Sequence, residues 1–181
     1  MELKGRNILV IGLGKTGIAA ARFAVERGAS VTVADEKPAS ELREAIGSLT
    51  GLPLRLFTGG ADPALAAGRD LVVPSPGVPP FNPLILEAER RGIPVVSETE
   101  LAFRFLRVPV IAITGTNGKT TVTALVGHIL GKAGKRAFVG GNIGNPLAGY
   151  VGGPQDDDWA VLELSSFQLQ RIETFRARVA V

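Results

Sequence analysis

The residues best suited to chemistry form one string, Gly115-Thr116-Asn117-Gly118-Lys119-Thr120-Thr121. Glycines 115 and 118 let the backbone wrap a phosphate, because they take positive φ without a Cβ clash. The amides of Asn117 to Thr121 would face an anion at a helix N-terminus, where the dipole adds partial positive charge. Lys119 supplies a cation for β- and γ-phosphates, and Thr120 a hydroxyl for Mg²⁺. The strict eight-residue pattern places glycine at position 113, where this chain has Ile113, so the motif is a shorter G-x-x-G-K-T variant. The bland alternative is a glycine-rich turn that binds nothing. A strand before the loop, an amphipathic helix after it and Gly-Lys-Thr-Thr between them favour the phosphate site.

A second glycine loop, Gly12-Leu13-Gly14-Lys15-Thr16-Gly17, opens the first strand-to-helix turn, and Asp35 stands 18 residues beyond Gly17 at the end of the next strand. This is the pattern of a dinucleotide site in which the acid bonds a ribose. The glycines accommodate any pyrophosphate, so they leave open NAD, another nucleotide, or a turn needed only for packing. Glu163 ends the apolar strand Trp159–Leu162 and would emerge at the C-terminal edge of a sheet, where such sheets bind ligands. Asn142 lies in the glycine-rich turn Gly140–Gly144, and Ser165 fits equally a polar contact or a helix N-cap. His128 and Asp156-Asp157-Asp158 read as solvated surface.

Two similar rhythms of elements must position these groups. Asn7–Ile11, Ser30–Ala34, Leu54–Phe57, Asp70–Val73 and Ile93–Val96 read as strands, with helices over Thr16–Arg27, Ser40–Ile46 and Pro83–Arg91. A short helix over Ser97–Leu106 follows, and the pattern restarts near Arg107. Val108–Ile113 is a buried strand, and Thr120–Ala133 a helix with Val122, Leu125, Val126, Ile129, Leu130 and Ala133 on one face. Arg136–Val139, Trp159–Leu164 and Arg178–Val181 are further strands. The expected class is α/β: residues 1–107 form a Rossmann-like parallel-sheet domain, and residues 108–181 the first part of a phosphate-loop α/β domain. Ending in an apolar strand, the second unit reads as cut short, with an unpaired edge.

Composition narrows the classes further. Of 181 residues, 45% are hydrophobic and 20% charged, as in ordinary globular chains. The formal net charge is +3, and the basic residues are scattered rather than clustered, so no nucleic-acid footprint is present. The absence of cysteine excludes disulfides and thiolate metal sites. No apolar run approaches the ~20 residues that span a bilayer, and Met1 leads directly into a strand. A soluble, cytoplasmic protein is expected.

Three strings together carry a family resemblance: Ile113-Thr114-Gly115-Thr116-Asn117-Gly118-Lys119-Thr120-Thr121, Gly140-Gly141-Asn142-Ile143-Gly144 and Leu162-Glu163-Leu164-Ser165-Ser166-Phe167-Gln168-Leu169. With Ile11–Gly17, Asp35 and Ser75-Pro76-Gly77, they resemble the Mur ligases of bacterial peptidoglycan synthesis, in order across essentially the whole chain. The likeness is greatest to members that join D-glutamate to UDP-N-acetylmuramoyl-L-alanine. It implies ATP and Mg²⁺ as cofactors, and a uridine nucleotide rather than NAD at the first loop. Gly14, Lys15 and Thr16 would lie by the diphosphate, Asp35, Glu36 and Lys37 near the uridine, and Ser75, Pro76 and Gly77 along the same pocket. Positions 15, 36 and 37 often differ within the family. Thr120 and Glu163 would hold Mg²⁺, while Asn142 and Ser165 would bond the reacting carboxylate or phosphate, beside Lys119. The implied parent is a monomeric, three-domain enzyme that also uses an Asp-His pair and a carbamylated lysine, not found in these residues. A ligase for another amino acid, a folylpolyglutamate-type ligase, and a non-catalytic nucleotide-binding module remain open.

Overall fold

The computed structural model describes residues 1–181. Two four-stranded parallel sheets follow one another along the chain. The first contains β1 (Asn7–Ile11), β2 (Ser30–Asp35), β3 (Leu54–Thr58) and β4 (Leu71–Pro74) in the order β3-β2-β1-β4. The second contains β5 (Val110–Ile113), β6 (Ala137–Gly141), β7 (Trp159–Glu163) and β8 (Val179–Ala180) in the order β6-β7-β5-β8. β4 and β5 are buried along their whole length, as strands covered on both faces must be. Edge strand β3 alternates half-buried and exposed residues.

In each sheet the strand order reverses beside the first strand, and that reversal opens a crevice at the C-terminal ends. In the first sheet it lies between β1 and β4, so the Gly12–Gly17 loop meets Ser75–Gly77. In the second it lies at β5, with β7 on one side and β8 on the other. The β5–β7 register sets Ile113 opposite Glu163, bringing the phosphate-loop strand and the acidic strand end together.

Seven helices connect the strands: α1 (Lys15–Glu26), α2 (Arg43–Ser48), α3 (Pro83–Arg90), α4 (Glu98–Phe103), α5 (Lys119–Lys132), α6 (Leu147–Val151) and α7 (Ser166–Leu169). α1 sits close to its sheet because Gly17 faces the first loop; a Cβ there would collide with the Gly12 carbonyl oxygen. The two sheets share a core. One cluster of 27 buried residues runs from Ile8, Val10 and Phe23 through Leu101 and Leu147 to Leu162 and Leu164, with α1, α4 and α6 between the sheets. Phe23 and Phe105 meet edge to face at 5.1 Å, and Arg27 lies over both rings while donating to the Val151 carbonyl at 3.2 Å.

Three expectations need correction. Ile93–Val96 is not a strand: Val95 makes a single bridge to Val72, because Pro94 has no N–H to extend a ladder and Ser97 already caps α4. Ser40–Ile46 divides into a 3₁₀ turn at Ala39–Glu41 and then α2, separated by Leu42, which leaves helical geometry as it turns into the core. On α5 the apolar face splits, with Val122, Val126 and Leu130 packed against β5–β7 but Leu125 and Ile129 exposed. β8 stands at the outer edge of its sheet, with Val179 and Val181 exposed.

α4 joins the units through three consecutive side chains, each bonded to a different segment of the second unit. Glu98 accepts from the Ala148 amide at the start of α6, at 2.5 Å. The Thr99 hydroxyl accepts from Gln168 Nε2 on α7, at 3.0 Å. Glu100, with no exposed side-chain surface, accepts from the amides of Glu173, Thr174 and Phe175, from the Thr174 hydroxyl and from Arg104. Burial raises the Glu98 carboxyl to about 7. Burial also opposes ionisation of Glu100, but the bonds from Thr174, Glu173 and Arg104 outweigh it and hold that carboxyl at about 2.

These two shifts give pH dependences of opposite sign. Folded Glu98 holds its proton more tightly than unfolded Glu98, so its contribution falls as pH rises from about 4.5 through 7, by about 3 kcal/mol in all. The contribution of Glu100 is complete above about 4.5 and is lost as pH falls towards 2. Urea titrations should show Glu98→Gln removing the loss of stability between pH 5 and 8. Glu100→Gln should instead destabilise at pH 7 and flatten the acid limb. A Glu98→Gln variant that keeps the wild-type slope above pH 5 would contradict this assignment.

Candidate active site

β5 runs into the loop Thr114–Gly118, and α5 begins at Lys119. Gly118 caps α5 in the left-handed region, at φ 77°, which β-branched or bulky residues avoid. Lys119 folds back over the loop, its Nζ donating to the carbonyls of Gly115 at 2.8 Å and Thr116 at 3.3 Å. Thr116, Asn117 and Thr121 are exposed around it.

Glu163 organises the neighbouring chemistry. It is 2% exposed, and its carboxylate accepts from the Thr120 hydroxyl at 2.7 Å and from Asn142 Nδ2 at 2.9 Å. The backbone repeats the Asn142 link: the Asn142 amide donates to the Glu163 carbonyl at 2.8 Å. Thr120, Glu163 and Asn142, from three separate stretches of chain, are thus joined around one carboxylate. A hydroxyl beside a carboxylate is a hard-oxygen donor pair suited to Mg²⁺, which takes one or two protein oxygens and completes its shell with phosphate and water. No group of three or more His, Asp or Glu side chains forms an all-protein metal cage.

Ser165 is committed elsewhere. It is the N-cap of α7 in a capping box: Gln168 N donates to Ser165 Oγ at 3.3 Å, and Ser165 N donates to Gln168 Oε1 at 2.9 Å. The spacing Ser-x-x-Gln carried that signal in the sequence.

The crevice of the first sheet encloses about 530 Å³. Gly14 and Thr16 line it from the first loop, Asp35, Glu36 and Lys37 from the end of β2, and Ser75, Pro76 and Gly77 from the end of β4. Asn142 lines it too, so the crevice reaches the Glu163 cluster. Lys15 is not among these residues; it lines a separate cavity between α1 and α6. Asp35 braces the loop, accepting from the Leu13 amide at 2.7 Å and the Lys37 amide at 2.9 Å. Asn82, which sequence reasoning missed, is buried at the crevice wall as the N-cap of α3; an Asn-Pro pair opening a helical pattern was its available signal. His128 is exposed, whereas Asp158 accepts from the Arg136 amide at 2.9 Å.

Comparison with known proteins agrees with this geometry. Residues 6–97 match the Mur ligase MurD-like N-terminal domain, and residues 113–181 match the Mur ligase middle domain. The chain belongs to the Mur ligase family. Among relatives of this Mur ligase chain, the UDP-N-acetylmuramoylalanine--D-glutamate ligase of Syntrophus aciditrophicus (strain SB) is 54% identical over 184 residues, covering 100% of this chain. The enzyme of that name from Geobacter metallireducens is 51% identical over 181 residues, again covering 100% of it. The chain spans 40% of the length of each. A solved UDP-N-acetylmuramate:L-alanyl-gamma-D-glutamyl-meso-diaminopimelate ligase from Neisseria meningitides superposes with a TM-score of 0.51 at 21% identity, over 88% of this chain and 52% of that one. At that identity the likeness speaks for the fold alone.

If the Ser165 hydroxyl serves as a cap, Ser165→Ala should cost about 1 kcal/mol in urea unfolding and Ser165→Asp should recover most of it. Equal stability of wild type and Ser165→Ala would refute the capping role.

Proposed function

We propose that this chain is the UDP-substrate and ATP-binding portion of a ligase that joins D-glutamate to UDP-N-acetylmuramoyl-L-alanine through an acyl phosphate. The observation that carries this reading is Asn142, which lines the nucleotide-sized crevice and bonds Glu163 beside the phosphate loop. A substrate lying along the crevice from Asp35 would present its far end to that cluster. The relatives' printed name supplies the two substrates.

The residue types fit the reaction. A carboxylate is a poor electrophile, and a phosphoryl group gives it a leaving group; that transfer needs chiefly positioning and charge neutralisation. The loop amides and Lys119 would hold the β- and γ-phosphates. Thr120 and Glu163 would hold Mg²⁺, which when bound neutralises phosphate charge. With one Asn142 N–H fixed on Glu163, its second N–H would donate to the incoming carboxylate. Gly14 and Thr16, at the N-terminus of α1, would take the diphosphate, and Asp35, Glu36 and Lys37 would flank the uridine.

On this reading residues 1–107 form the UDP-substrate domain and residues 108–181 the start of the ATP domain, in a cytoplasmic, monomeric parent. No helix is long and apolar enough to cross a membrane. As a piece, the chain would act as a module binding two nucleotides.

In the full-length ligase, phosphate release should require both UDP-N-acetylmuramoyl-L-alanine and D-glutamate. Lys119→Ala should lower it by at least about a hundredfold while leaving the affinity for the UDP substrate within about twofold. Loss of UDP-substrate binding in that variant would show that the two sites are not separate. Binding of NAD in the crevice, with no response to uridine ligands, would overturn the reading.

A further inference from the structure

Lys15, expected at the diphosphate, instead lines a second cavity, of about 410 Å³, between α1 and α6. That volume is in the range that holds small molecules. On the α1 side, Lys15 and Arg22 flank Ile18 and Ala19; on the α6 side, the wall includes Gly149, Gly152 and Gly153. None of these three glycines has a positive φ, so the backbone does not call for glycine there. Packing does not call for it either: a Cβ would meet nothing within 4 Å at Gly149, and nothing closer than 3.4 Å at Gly152 or Gly153. Glycine within α6 also weakens a helix that alanine would support. What the missing side chains achieve is an open slot with bare backbone for one wall.

Charge sets the class of occupant. Lys15 and Arg22 stand seven residues apart, about 10 Å along the helix, and neither forms an ion pair. Arg22 bonds the Ser48 carbonyl through Nη2, which leaves its Nε and Nη1 donors unspent. Glu26, the one acid of the lining, lies a turn beyond Arg22 and beside Gly152. Just past it, Arg27 ties α1 to the Val151 carbonyl of α6. The Lys15 end of the slot is therefore cationic. An aliphatic face, a backbone face and two unpaired cations together fit a flat apolar body that carries an anion.

We propose that the cavity between α1 and α6 binds a small organic anion with a flat apolar body, separately from both nucleotide sites. Its occupant bridges the two units at their joint. α1 begins beside Gly14 at the crevice, and α6 follows the loop that carries Asn142. A ligand held by both helices braces the units against each other and stabilises the folded chain by linkage.

The test follows the backbone amide signals of the chain by NMR as biphenyl-4-carboxylate, a flat apolar body with one anion, is titrated in. UDP and ADP are present throughout to compete for the crevice and the phosphate loop. In wild type the amides of Gly149, Gly152 and Gly153 should shift saturably, with a Kd of about 1 mM or tighter. Biphenyl-4-ylmethylammonium, the same body with the opposite charge, should bind at least about tenfold more weakly. Gly149→Leu places a side chain in the slot and should weaken carboxylate binding at least about tenfold, with the urea midpoint unchanged or raised because leucine supports α6. The double variant Lys15→Gln/Arg22→Gln leaves the slot open and should lose the preference for the anion. Absence of saturable shifts in wild type would overturn the proposal. So would wild-type affinity in Gly149→Leu, or a wild-type preference for the anion in the double variant.

Discussion

The site depends on one register. Ile113 of β5 lies opposite Glu163 of β7, so the strand that delivers the phosphate loop and the strand that delivers the acid end at the same level. A shift of one residue would turn Glu163 to the other face of the sheet and separate it from Thr120. The register is held by burial on both faces: Val110 to Ile113 and Ala160 to Glu163 are all buried. It is also held by bonds beyond the strands, where the Thr114 hydroxyl and the Leu164 amide tie the two strand ends together. Apolar packing thereby sets a polar geometry.

The second constraint is the union of the two sheets. A Rossmann-like unit and a phosphate-loop unit can each fold around a sheet, but here α1, α4 and α6 belong to one core between them. α4 adds direction to that packing. Glu98 bonds α6, which follows the Asn142 loop; Thr99 bonds Gln168, which closes the cap at Ser165; Glu100 gathers the amides of residues 173–175. Buried carboxylates are costly unless satisfied, and these two differ in how far they are. Glu100 has donors enough to remain charged at low pH, whereas Glu98 has one backbone amide and one long contact from Thr99. The joint is rigid at one carboxylate and responsive to protons at the other.

Much of this was legible in the sequence. Glycine loops between apolar runs and amphipathic segments marked both crevices, because a tight turn with positive φ has few sequence solutions. Glu163 was legible for a similar reason: an acid closing an apolar run must leave the sheet at its edge. What escaped was set by contacts remote in sequence. The fate of Ile93–Val96 depends on a missing N–H at Pro94 and on where α4 must start. The roles of Glu98 and Glu100 depend on segments about 50 and 75 residues away. Leu125 and Ile129 share a periodic stripe with Val126 and Leu130, yet they lie just outside the arc that β5–β7 cover. Ser165 shows the limit of residue type alone, since a serine after an acidic strand end serves either as a ligand contact or as a cap, and only the neighbour three residues on separates the two.

Asn142 carries the connection between the crevice and the phosphate loop, and its hydrogen bonds limit how that connection works. One side-chain N–H and the backbone amide are both spent on Glu163, so the side chain cannot swing toward the crevice without leaving a buried carboxylate short of a donor. What remains for a ligand is one N–H and one carbonyl, a donor and an acceptor in a fixed plane. A carboxylate arriving from the crevice could use only the donor, at the residue that also bonds Oε1 of Glu163, while Thr120 bonds Oε2. On the proposed reading, the acid group and the carboxylate that would hold the metal are therefore bridged by a single amide. Such a bridge would need no movement of the sheets, which the shared core and the α4 bonds hold together.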